Sequence, residues 1–178
     1  MREEVIAEEQ QIADERLRDE ARPEAVVLRR HIRELPTLQS AVVLAPQVAV
    51  QEAIAAMWQA RTSCVLIVDQ GQLVGVFTER DVVHTVAVRQ SALDRLPICE
   101  VMQPDPDCLG MDDELVYALH HMSLGDYRHI PVLDDQRRPL AVVSMHTIMD
   151  YLVEAFPQEV LNLPPSPAHS IAPTPEGA

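Results

Sequence analysis

Residues Gly71 to Asp81 read GQLVGVFTERD: a turn, an apolar strand from Leu73 to Phe77, then a small polar cluster. Upstream, Cys64-Val65-Leu66-Ile67-Val68 is an unbroken β-rich run that ends in the turn Asp69-Gln70-Gly71. Two short strands joined in this way predict a hairpin. Before them, Val50, Ala53, Ile54 and Met57 follow helical spacing within 50–60, and a helical pattern resumes at about Asp81 to Val88. The order is helix, strand, turn, strand, helix. Thr78 and Asp81 close the second strand, and they either cap the helix that comes next or hold a ligand.

The same order occurs again downstream. With a shift of 65 residues, Leu44 falls on Leu109, Ala53 on Ala118, Met57 on Met122 and Asp69 on Asp134, while Val65, Ile67 and Val68 meet Ile130, Val132 and Leu133. The second turn, Asp134-Asp135-Gln136-Arg137-Arg138-Pro139, is one residue longer, so Gly75, Val76, Phe77 and Thr78 then meet Ala141, Val142, Val143 and Ser144. Internal repetition of this kind decides an architecture. A unit of about 60 residues is marginal by itself. Two such units, packed sheet against sheet through a pseudo-twofold, bury what each leaves exposed, which makes the expected fold class α+β.

The ends differ from the middle. Residues 2–21 are charged helix formers with a sparse apolar stripe, a solvated helix or a frayed arm. Pro23 suits a first helical turn; Leu28, Ile32 and Leu35 then predict a short helix with one packing face, ended by Pro36. The expected organisation is an acidic helical extension over 1–34, one repeat over 35–92, a second over 93–156 and a proline-rich tail over 157–178. Gln90 to Cys99 links the halves. From Pro157 onward an extended, mobile tail is expected, and its patch Val160-Leu161-Asn162-Leu163-Pro164-Pro165 is either a docking peptide or incidental.

The 178 residues carry a formal net charge of −14. With no basic cluster, nucleic acid is excluded as a partner, because backbone binding needs cations to neutralise phosphates, and anionic membrane surfaces are disfavoured for the same reason. No apolar run approaches the roughly 20 residues of a membrane span, and the N-terminus MREEVIAEEQ is unlike a signal peptide. A cytoplasmic location is expected. Cys64, Cys99 and Cys108 are odd in number and lack CxxC spacing, and so read as reduced structural thiols.

The segments SCVLIVDQGQLVGVFTERDVV and RHIPVLDDQRRPLAVVSMHTIMDYL, the latter introduced by VMQPDP, together resemble a tandem pair of CBS domains. The resemblance covers about Leu35 to Phe156. It implies a β-α-β-β-α repeat whose pairs often form flat homodimers. It also implies a non-catalytic regulatory role: an adenosine-containing ligand such as AMP, ADP, ATP or S-adenosylmethionine sits between the repeats and alters a partner's activity or assembly.

Thr78 and Asp81 have a plain structural reading as N-cap and first-turn acid, close to a capping box, although that motif prefers Glu or Gln at the last position. The resemblance adds a ligand reading, in which Asp81 accepts from both ribose hydroxyls and Thr78 with the helix N-terminus faces phosphate. At the matching place the second copy reads Ser144-Met145-His146-Thr147, which keeps a capping hydroxyl and has no carboxylate. By resemblance, the Asp81 site is completed by the other repeat. There Arg128 and His129 face the phosphates, and Pro131, favouring an edge or strand end, leaves backbone groups open for adenine. The plain alternative is that Arg128 pairs with a carboxylate such as Asp126 while His129 sits half-buried. Arg61, Thr62 and Ser63 would face Ser144 in a weaker second cleft, where Arg61 either meets an anion or forms a surface ion pair.

Other patterns carry less. His120 and His121 are adjacent on a helix and point apart, so no metal site is expected. No third group orients a Cys/His pair among Cys64, Cys108 and His129, so no catalytic residue is expected. Met57, Met122, Met145 and Met149 read as core. The two readings that remain are an adenosine-ligand sensor, with no cofactor required, and a dimerisation scaffold with vestigial clefts.

Overall fold

The computed structural model describes residues 23–89, 93–125 and 127–157. The hairpin of the opening stretch is present: β3 (Cys64–Asp69) pairs antiparallel with β4 (Gln72–Thr78). Gln70 and Gly71 form its two-residue loop, both at positive φ (48° and 84°). That is the primed-turn geometry whose twist matches the flanking strands. Helix α2 (Val50–Ala60) precedes the hairpin and α3 (Glu79–Arg89) succeeds it. The second copy repeats the order with α4 (Leu115–Gly125), β7 (His129–Leu133), β8 (Pro139–Ser144) and α5 (Met145–Ala155). Both hairpins carry a bulge at the same place, after Ile67 and after Val132.

Four short strands complete two four-stranded sheets, and two of them cross over. Strand β2 (Val43–Leu44) lies parallel to β3, and β6 (Leu109–Gly110) lies parallel to β7. Strand β1 (Gln39–Ser40), however, pairs with β8 of the second copy, while β5 (Gln103–Pro104) pairs with β4 of the first. The sheet orders are β2-β3-β4-β5 and β1-β8-β7-β6. Each sheet is therefore finished by the segment that leads into the other repeat.

The expected helix through Leu28, Ile32 and Leu35 is only partly present. Helix α1 covers Pro23–Leu28, and the chain then opens so that His31 bridges to Glu114 and Ile32–Glu34 forms a 3-10 turn. Ile32 N–H donates to Asp113 O at 2.9 Å and Leu115 N–H to Arg30 O at 2.8 Å. Ile32 and Leu35 fill the core of the second copy with Leu115, Ile130, Val143 and Ile148. Burial against a distant repeat outweighs local helix propensity here. The linker repeats the arrangement one copy on: Ala49 bridges to Pro97, Val50 N–H donates to Leu96 O at 2.9 Å, and Leu96 and Ile98 join Val65, Ile67 and Phe77. Residues 2–21, most of the 157–178 tail and Asp126 lie outside the described residues.

Strand alternation sorts the side chains into layers. Val65, Ile67 and Phe77 face the helices, whereas Cys64, Leu66 and Val76 face the other sheet and meet Val142 there. Gly75 lies where Met102 and the Gln103 carbonyl cross β4: a Cβ at this position would stand 3.1 Å from that oxygen and closer still to the Met102 sulfur. Met57 and Met122 are core, and Met145 packs against it. Met149 corrects the expectation, being 57% exposed on the outer face of α5.

Candidate functional site

The N-terminus of α3 is closed by a reciprocal cap. Thr78 donates to Asp81 Oδ2 twice, from its N–H at 2.8 Å and its hydroxyl at 2.7 Å, while Asp81 N–H reaches back to Thr78 Oγ1 at 3.4 Å. This is capping-box geometry with Asp in the place usually held by Glu. Both side-chain bonds use Oδ2, which pins the carboxylate in one orientation. A carboxylate offers about four acceptor positions over its two oxygens, so capping does not exhaust Asp81.

The N-terminus of α5 is closed differently. Thr147 N–H donates to Ser144 Oγ at 3.1 Å, and the two hydroxyls lie 2.9 Å apart. Both residues are buried. Capping thus survives in both copies, and the carboxylate stands in one.

The two strand starts meet at the junction of the repeats. Ser63 Oγ and His129 Nε2 lie 2.6 Å apart, a bond between residues 66 apart in sequence. Glu79, the first residue of α3, donates its N–H to Ser63 O at 3.0 Å, and the equivalent Met145 N–H donates to Arg128 O at 2.9 Å. His129 is half-buried; loss of solvent and the nearby Arg128 push its pKa below the ordinary histidine value, partly opposed by Glu79. A neutral imidazole is the form this junction favours. Cys64, one residue from Ser63, is buried, and burial pushes its thiol up to about 11, which makes it an inert core group.

Of the remaining residues expected at a site, Arg128 is exposed beside His129. Arg61 is exposed at the C-cap of α2, with left-handed φ and ψ of 50° and 43°. Thr62 is buried, and its hydroxyl is spent locally, donating to Cys64 O at 3.0 Å and accepting from Cys64 N–H at 3.3 Å.

Pro131 is not on an edge strand: β7 lies between β8 and β6. The effect on pairing is nonetheless visible beside the first copy. There Leu66 N–H donates to Val42 O at 2.8 Å and the β2–β3 ladder includes Val43 opposite Leu66. Pro131 has no N–H, and the β6–β7 ladder begins one residue later, at Leu109 opposite Val132. Asp107, the counterpart of Val42, is held instead by its side chain, which accepts from the Tyr127 hydroxyl and contacts His121 Nδ1 at 3.1 Å. These bonds hold the Asp107 carboxyl below its usual range. The sequence offered no spacing signal for this cluster, nor for the Ser63–His129 bond.

Residues 30–88 and 98–154 each match the CBS domain. The chain belongs to the CBS domain family. The meiotically up-regulated gene 70 protein of Schizosaccharomyces pombe is 32% identical to this CBS pair over 110 residues, which is 62% of this chain and 15% of that protein. The chain therefore spans a small part of that longer relative. Among solved structures, the CBS domain protein PAE2072 from Pyrobaculum aerophilum complexed with AMP has a TM-score of 0.63 at 20% identity, covering 71% of this chain and 98% of that one. The CBS domain pair of protein MJ0100, in complex with 5′-methylthioadenosine and S-adenosyl-L-methionine, has a TM-score of 0.61 at 20% identity, covering 69% and 99%. These two likenesses are of fold. Among the described residues, no group of three His, Cys, Asp or Glu side chains could hold a metal ion, and no helix is long and apolar enough to cross a membrane.

Proposed function

We propose that this CBS pair is a non-catalytic sensor of an adenosine-containing ligand, bound in a cleft anchored by Asp81. The observation that carries the reading is the asymmetry of the two caps. The Thr78–Asp81 cap orients a carboxylate at a helix N-terminus, where a dihydroxyl group can bridge its oxygens, whereas Ser144 and Thr147 satisfy each other. Charge-assisted bonds of this kind are about twice as strong as neutral ones. The ribose diol sits on Asp81, and the 5′ end lies toward Arg128 and His129. Pro131 shortens the neighbouring ladder and leaves main-chain groups near Asp107 for the base. Arg61, Thr62, Ser63 and Ser144 line the weaker second cleft. Ligand occupancy acts on a regulated partner protein or on the chain's own homodimer.

Isothermal titration calorimetry with AMP, ADP, ATP, S-adenosylmethionine and 5′-methylthioadenosine tests this directly. At least one adenosine compound binds the parent, and Asp81→Ala weakens it about 100-fold, the loss of two charge-assisted bonds. Equal binding by Asp81→Ala, or no binding by any of the panel, defeats the reading.

The scaffold alternative has its own observation: Trp58 and Leu124 are 85% and 75% exposed on the outer faces of α2 and α4. Light scattering separates the two readings. A scaffold keeps one oligomeric mass whatever nucleotide is added and gives no calorimetric signal.

A further inference from the structure

Given an adenosine ligand anchored on Asp81, the surroundings of His129 bear on which adenosine compounds the first cleft accepts, and the selectivity rests on that binding reading. The groups around this imidazole are Ser63 Oγ at 2.6 Å, Arg128 beside it in the chain, Glu79 at the start of α3, and Ser144 opposite it in the β7–β8 ladder. The Ser63 bond and the Glu79 N–H bond to Ser63 O tie Glu79 to this place by main-chain geometry. A helix N-terminus ordinarily attracts phosphate. This one already carries two carboxylates in its first turn, Glu79 and Asp81, which complement the dipole before any ligand arrives. Against them stand Arg128 and Arg80, and Arg80 takes part in an interaction of its own. The nearby charges therefore balance close to zero, with the imidazole neutral. All 14 basic residues of the chain are arginines, and its net charge is −14. Nothing in this arrangement answers the several negative charges of a polyphosphate.

We infer that Glu79, placed at the repeat junction beside His129, makes the first cleft select adenosine compounds with an uncharged or cationic 5′ substituent, a thioether or a sulfonium, over phosphorylated ones. The equivalent position in the second copy is Met145, so this electrostatic selection belongs to the first cleft alone. Glu79 contributes its main chain to the fold, and the cap bonds are made by Thr78 and Asp81. Glu79→Gln therefore changes charge while leaving the cap in place.

The test is calorimetry at pH 7.5 with 5′-methylthioadenosine, S-adenosylmethionine, AMP and ATP on the parent and on Glu79→Gln. The parent binds 5′-methylthioadenosine and S-adenosylmethionine about tenfold more tightly than AMP, with ATP weakest, because the local Glu79 carboxylate disfavours each added phosphate charge while the balanced surroundings supply no net attraction for it. Glu79→Gln raises AMP affinity about three- to tenfold and leaves 5′-methylthioadenosine unchanged. The parent alone gives a second readout, because salt narrows the gap between AMP and 5′-methylthioadenosine. AMP binding the parent as tightly as 5′-methylthioadenosine overturns the inference while leaving the adenosine reading intact, and so does a Glu79→Gln effect equal on both ligands. Loss of all binding in the parent overturns both.

Discussion

The two repeats of this chain share a backbone plan and differ at a few positions where the plan meets chemistry. Thr78 and Asp81 in one copy correspond to Ser144 and Thr147 in the other, Leu66 to Pro131, and Gly75 to Ala141. Each pair separates what the fold requires from what one cleft alone possesses. A capping hydroxyl is required twice, because every helix N-terminus leaves N–H groups unpaired. A carboxylate is not required for capping, since Ser144 Oγ closes its helix by accepting from Thr147 N–H without one. Its presence at Asp81 is thus informative in a way that the threonine beside it is not.

The largest expected effect tests the ladder difference. Leu66→Pro gives the first copy the proline of the second, removing the N–H that donates to Val42 O and replacing a fully buried side chain. The expected cost is about 3 to 5 kcal/mol in urea unfolding, from a lost buried hydrogen bond and lost core volume. Retained stability would show that the ladder difference is incidental.

Gly75→Ala comes next, since it gives the first copy the alanine of the second. The added Cβ would press on Met102 and the Gln103 carbonyl, at a cost of about 1 to 3 kcal/mol by overpacking. Met102→Ala in the same chain relieves the side-chain part and leaves the carbonyl contact. The double variant should therefore recover part of the overpacking strain relative to the sum of the single changes, which a double-mutant cycle measures.

The caps compare more evenly. Thr78→Ala and Ser144→Ala should each cost about 1 kcal/mol of thermal stability. Only Thr78→Ala also removes one of the two bonds that orient Asp81, the hydroxyl bond, leaving the main-chain N–H bond, and so weakens adenosine binding. Equal effects of the two on binding would erase the proposed functional difference between the copies.

The smallest effect is a pH dependence. His129 has its folded pKa depressed below the unfolded value of 6.5, chiefly by burial. The unfolded chain then binds the proton first, so stability is full above about 6.5 and falls as pH drops through that value toward the folded pKa. The melting temperature of the parent should fall in this window more steeply than that of His129→Gln. Coincident profiles would remove any role for His129 in this pH dependence.

Much of the fold and of the candidate site was legible locally. The hairpins follow from β-rich runs around Gly71 and Asp134, helix α2 from the spacing of Val50, Ala53 and Met57, and the cap from Thr78 and Asp81 three residues apart. The duplication follows from the register of Leu44 on Leu109 and Met57 on Met122. Each of these depends on residues within a few positions of one another or on comparison of one segment with another.

Tertiary structure alone decided the rest. Ile32 and Leu35 kept a helical spacing yet became the seal of the second core, because the apolar area available there outweighs a short helix's own hydrogen bonds. Ser63 and His129 carry no pattern that joins them; a pseudo-twofold brings two strand starts together, and a 2.6 Å bond results. The sequence by itself determined the two repeats and the single carboxylate cap, since turn chemistry, periodicity and capping act over a few residues. How the strands exchanged between the repeats, and which charges met at their junction, was set only by packing, because burial rewards contacts without regard to separation along the chain.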